Sequence, residues 1–186
     1  MEYYQKLYTG VSRAAWGYFF LYFSVNIGTL NILPSFVGYL LFLSAIGLLE
    51  EEVRNLSLLR PLGILLAIWN GVDWMLTMVG GDLDGVSLFL DLVNTLVNLY
   101  FHFQLLTDLA AIALRYQPDD STLDGKLLLY RTLQTILITG ITLISCFSSW
   151  LGEAMVFLSG FMAILYLIAG ICLMAALFQL RRCFLE

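Results

Sequence analysis

Every Lys and Arg in this chain falls in alternate gaps between its long apolar runs. Lys6 and Arg13 precede the first run, and Arg54 and Arg60 follow the second. Arg115, Lys126 and Arg131 surround the gap after the fourth, and Arg181 and Arg182 close the chain. The gaps near Asn26–Asn31, Gly80–Gly85 and Ser148–Glu153 hold no basic residue. Short loops rich in Lys and Arg stay on the cytoplasmic side of a membrane, so this alternation predicts six spans with both termini inside. The expected fold class is all-α: a polytopic membrane bundle of six transmembrane helices.

Composition narrows the choice further. At 60% hydrophobic and 12% charged residues, the chain departs from soluble domains, which carry about 25% charged residues. Six spans of roughly 20 residues use about 120 positions, and little remains of the 186 for tails and loops. The expected organisation is an interfacial amphipathic N-terminus over residues 1–13, one transmembrane domain over 14–180 and a cytoplasmic tail over 181–186. The basic residues are spread along one face as orientation signals, so no nucleic-acid partner is expected. No cleavable leader is expected either, because the first run lacks an A-x-A-like site. Cys146, Cys172 and Cys183 have no metal-like spacing and read as free thiols. No cofactor, metal or catalytic residue is expected.

Along the chain, the first span is expected near Ala14–Leu30 and the second near Ser35–Leu49, joined by a tight turn at Asn31–Pro34. Both are short, which suits a shallow or partly re-entrant hairpin. The third is expected near Leu58–Val79 with Pro61 in its opening turn, where a missing N–H costs nothing. The fourth runs from about Val86 to Arg115, longer than a bilayer requires. Residues Tyr116–Lys126 form the longest polar loop, and the last spans are Leu127–Phe147 and Ala154–Leu180.

Polar residues inside these spans concentrate on the third and fourth. Asp91, Asn94, Thr95, Asn98 and His102 are offset by 0, 3, 4, 7 and 11 positions. At about 100° per residue they form one stripe within an arc of roughly 100°. Asn70, Asp73 and Thr77 repeat the pattern on the third span. A carboxylate inside a membrane helix costs about 2.5–3.5 kcal/mol on insertion scales, so such residues face inward and mark functional sites. The candidate binding residues are therefore Asp73, Asp91, Asn70, Asn94, Asn98 and His102. In this reading Asp73 and Asp91 share one depth and line a cavity open to the outside. His102 lies deeper and is suited to carrying protons.

The competing reading is structural. Asn, Thr and Asp also hydrogen-bond neighbouring helices in a bundle, for about 0.6 kcal/mol on average. Two functions follow from these alternatives: binding and transport of a small polar or cationic solute, or a non-catalytic membrane partner acting through helix faces and inner loops. A second protein or a second copy of the chain is compatible with either. An intramembrane enzyme ranks third.

The segment Asn31-Ile32-Leu33-Pro34-Ser35-Phe36-Val37-Gly38-Tyr39 resembles a signature of small multi-pass membrane proteins of Gram-positive bacteria. That resemblance implies a bacterial plasma-membrane location and no activity. Size and topology are also similar to the substrate-binding subunits of energy-coupling-factor vitamin transporters, which implies a ligand site near the outer face. Of the small-residue docking stripe those subunits carry in their first helix, only Ala14, Ala15 and Gly17 have a counterpart. Glu50-Glu51-x-x-Arg54 is similar to the E-E-x-x-x-R motif of intramembrane prenyl-protein peptidases, with its Arg one residue early. Those enzymes use further His residues that this chain, with His102 alone, does not have.

Overall fold

A computed structural model of the chain describes residues 2–23, 26–27, 30–31, 33–79, 81, 88–146 and 153–185. Among these residues the chain forms six α-helices: α1 (Glu2–Tyr22), α2 (Ser35–Leu49), α3 (Arg60–Met78), α4 (Leu88–Tyr116), α5 (Leu123–Cys146) and α6 (Glu153–Arg182). Each helix packs on the next, and α6 returns to α1, so the six close into a ring. The α3–α4 seam is much the thinnest contact in that ring. The chain is an all-α polytopic membrane bundle. Four segments are long and apolar enough to cross a membrane: Arg54–Met78, Phe89–Tyr116, Leu123–Cys146 and Phe157–Arg182.

The first two helices fall short of that criterion, which revises the expected six spans. At roughly 1.5 Å per residue, the 15 residues of α2 cover less than the ~30 Å of a bilayer core. The amphipathic segment over residues 2–13 runs straight into the first apolar run, because α1 is unbroken from Glu2 to Tyr22. Leu7, Val11, Ala14 and Tyr18 then lie on one face at helical spacing, and all are buried in the core. This helix also ends well before the expected Leu30. Beyond it, Ser, Asn, Gly and Thr dominate residues 24–31, and these are poor helix formers. Asn26 pairs with Asn31 and Ile27 with Leu30 in a short antiparallel ladder. The segment then enters α2 through Pro34, whose extended backbone precedes the first helical turn.

Close approach of α1 and α2 depends on glycine. A Cβ placed on Gly17 would lie 2.6 Å from the Phe42 ring, and one on Gly38 would lie 2.8 Å from the Gly17 carbonyl oxygen. Ala14, Ala15 and Gly17 are thus buried inside the fold and are not displayed as an outer docking stripe. Tyr18, Tyr39, Phe42 and Phe101 fill the resulting centre.

At one end of the bundle, the acidic run after α2 is tied to three other elements. Glu50 pairs with Arg60 of α3 at 3.0 Å, Glu51 with Lys6 of α1 at 4.0 Å and Glu52 with Arg115 of α4 at 3.7 Å. The Tyr116 hydroxyl donates to Glu52 at 3.0 Å, and Glu52 is almost fully enclosed. Arg181 of α6 reaches Ser12 of α1 at 3.3 Å and lies over the Tyr8 ring. A reciprocal pair closes the loop before α5: Gln117 donates to the Asp124 carboxylate at 2.9 Å, and the Asp124 N–H donates back at 3.2 Å. That loop is shorter than expected, because α5 starts at Leu123. The outer gaps expected near Gly80–Gly85 and Ser148–Glu153 lie almost wholly outside the described residues.

Candidate functional site

The polar stripe of α4 opens onto two stacked cavities. Asn94, Thr95 and Asn98 line a cleft of about 310 Å³ that is also lined by Ile138, Ile141 and Thr142 of α5 and Tyr166 of α6. One turn further along α4, His102 lines a second, enclosed cavity together with Tyr18, Tyr22, Arg131, Gln134 and Tyr166. This inner cavity has a volume of about 10 Å³, room for a single water-sized group. Tyr166 belongs to the walls of both.

Each wall residue is positioned by packing that the sequence supports locally. Asn98 lies within reach of the Tyr39 hydroxyl of α2, so one member of the stripe also faces that helix. His102 is enclosed by the rings of Tyr18, Tyr39, Phe42 and Phe101, with centroids 5.3–6.0 Å away. Its Nδ1 lies 3.2 Å from the Tyr18 hydroxyl. Tyr22 sits edge-on to Tyr166 at 5.3 Å and within hydrogen-bonding reach of its hydroxyl. Gly170 of α6 lets Tyr22 lie against the helix, since a Cβ there would meet the ring at 2.8 Å.

Arg131 and Gln134 complete the inner cavity from α5. The Arg131 guanidinium stacks on Phe103 at 4.1 Å and donates to the Thr107 hydroxyl at 2.8 Å. Its Nε is buried without an acceptor. The Gln134 amide approaches the Tyr22 hydroxyl but not in hydrogen-bonding geometry, and its Nε2 is likewise buried without an acceptor. Arg131 forms no ion pair among the described residues.

The six candidate residues are thereby sorted. Asn94, Asn98 and His102 converge on the two cavities. Asp91 lies three residues before Asn94 on the same stripe and is half-buried. Asn70 and Asp73 are half-buried on α3, where Asn70 donates to the Leu66 carbonyl at 2.8 Å and Thr77 to the Asp73 carbonyl at 2.9 Å. These three line neither cavity. Trp74 packs on Phe36 of α2 at 5.5 Å.

The structure also brings forward residues that sequence reasoning passed over. Arg131 counted only as an orientation signal of the inner loop. It lies two turns inside α5, about 12 Å from the helix start at roughly 1.5 Å per residue, with its side chain against α4. Gln134 and Thr135 follow it on the same face at helical spacing, a signal that was legible once the start of α5 was known. Asp108 is a buried carboxylate of α4: Gln104 donates to its Oδ1 at 2.9 Å, and its Oδ2 has no partner. Among the described residues, no group of three or more His, Cys, Asp or Glu side chains is placed to hold a metal ion.

Fold and site together define a small multi-pass membrane protein with a polar column inside its helix ring. No protein family, curated protein or solved structure matches the chain.

Proposed function

We propose that this integral membrane protein binds, and helps move, a small polar solute through the column on α4. Asn94, Thr95 and Asn98 form the entrance, and His102 forms the floor. The observation that carries this reading is the stacking of two cavities along one helical stripe, with Tyr166 common to both. Asn70, Asp73 and Asp91 complete the proposed set as the polar and acidic surroundings of the outer half. The proposed location is the bacterial plasma membrane with both termini cytoplasmic. Its support is that Lys6, Arg60, Arg115 and Arg181 meet at one end of the bundle.

The alternative is a non-catalytic partner subunit. Its own support is an outward apolar groove on α6 of about 400 Å³, lined by Phe157, Gly160, Phe161 and Ile164. Acyl chains cover such a face equally well. The glutamates of the inner loop, which a partner would otherwise engage, are already paired within the chain. Solute binding therefore leads.

The test is thermal unfolding of the purified protein against a panel of cations, neutral polar solutes and small carboxylates. At least one class should raise the midpoint, in step with the logarithm of its concentration once above Kd. Asn94→Leu and Asn98→Leu should weaken that rise, and Asp73→Asn with Asp91→Asn should remove any rise caused by cations. A flat response to the whole panel would leave the partner reading in the lead.

A further inference from the structure

Resting on that solute-binding reading, we infer that the inner cavity is an oxyanion site, in which Arg131 and Gln134 receive one carboxylate oxygen of a small solute entering along the Asn94–Asn98 cleft. The chemistry follows from what the two side chains lack. A buried N–H without an acceptor is costly, because it has given up water and gained nothing. Two such donors, Arg131 Nε and Gln134 Nε2, belong to residues three positions apart on α5 that line the same cavity. Gln134 is 4% exposed. One of the two donor groups carries a full positive charge that no carboxylate in the described residues neutralises. A guanidinium paired with an amide donor prefers an acceptor that is anionic and planar.

Size and enclosure refine the class. The cavity accepts one water-sized group, so an oxygen fits and a phosphate does not. The remainder of the ligand must extend past Tyr166 into the larger cleft, whose polar wall is Asn94, Thr95 and Asn98. Tyr18, Tyr22 and His102 line the far side of the inner cavity. Burial of both donors strengthens the attraction between Arg131 and an anionic oxygen.

The experiment compares acetate, lactate and decanoate with chloride at matched ionic strength, and with anionic phospholipid in mixed micelles. The readout is the unfolding midpoint of the full chain in detergent. Acetate and lactate should raise it with the logarithm of their concentration, while chloride and anionic phospholipid should not. Decanoate should act no better than acetate, since the apolar tail gains nothing from a polar cleft. Arg131→Gln should abolish the carboxylate response. Because that variant risks misfolding, Gln134→Glu provides an independent check: it places a carboxylate beside Arg131, so basal stability should rise while the acetate response disappears. A Gln134→Glu variant that is less stable than wild type and still responds to acetate overturns the assignment. So does a response confined to anionic phospholipid. A response to cations alone, removed by Asp73→Asn and Asp91→Asn, overturns the oxyanion site and leaves the solute-binding reading standing. No response to any ligand removes both.

Discussion

Asn98 and His102 are one turn apart on α4 yet open onto different cavities, and Tyr166 of α6 lines both. Ile138 of α5 lines both as well, so these two side chains form the boundary within the polar column. Tyr166→Ala should join the two spaces. In a background with Cys146, Cys172 and Cys183 replaced by Ser, Thr135→Cys on the inner cavity should react slowly with a small polar thiol reagent. Adding Tyr166→Ala should speed that labelling about tenfold or more, the scale of one removed barrier of roughly 1.4 kcal/mol. Equal rates would show that Tyr166 is not the divider.

The stripe itself predicts a face-dependent tolerance. Asn98→Leu removes the amide within reach of the buried Tyr39 hydroxyl, which should cost about 1–3 kcal/mol. Leu96→Met, on a side chain 64% exposed, should change the unfolding midpoint little. Comparable losses on both faces would mean that the stripe does not face the interior.

Gly38→Ala should be among the most disruptive small substitutions in the chain. Its new methyl would press on the backbone oxygen of Gly17 at 2.8 Å, where no side-chain rotation relieves the contact. The expected loss is about 1–3 kcal/mol by overpacking. Gly160→Ala, which meets nothing within 4 Å, serves as the control and should be neutral or slightly stabilising.

Within the acidic run, the three glutamates should not be equivalent. Glu52 is enclosed and accepts from Tyr116 at 3.0 Å beside Arg115, so Glu52→Ala should cost about 1–3 kcal/mol. Glu51 is 66% exposed and only 4.0 Å from Lys6, so Glu51→Ala should cost under about 1 kcal/mol. High salt should weaken the Glu51 pair and leave the effect of Glu52 largely intact, a comparison read from denaturation midpoints.

Orientation is checked by labelling in intact cells. Asp120→Cys, in the exposed turn before α5, should react with an impermeant reagent only after permeabilisation. Gly81→Cys, just beyond α3, should react from outside. The reverse pattern would invert the proposed topology.

Much of this was legible in the primary structure. Apolar run lengths dictated an all-helical membrane bundle, because a backbone in hydrocarbon must satisfy its own hydrogen bonds. Periodicity alone placed Asn94, Asn98 and His102 on one inward stripe, since the helical repeat fixes which residues share a face. The bounds of α2 and, within a residue or two, of α3 and α4 also follow from Pro34, Pro61 and the turn-rich loops.

Tertiary packing decided the rest. Which helix faces the stripe is a property of ring order, and the ring sets α4 against α5 more closely than against α3. That order gives the polar column to Tyr166, Arg131 and Gln134, and puts neither Asp73 nor Asp91 on its walls. Charge in a sequence carries no depth, so Arg131, near the start of the expected fifth span, counted only as an orientation signal until its neighbours were placed. Its aromatic support from Phe103, 28 residues away, exists only once α4 and α5 are side by side. A helix repeat determines direction around its own axis, whereas the partner met in that direction is set by long-range packing that no local pattern encodes.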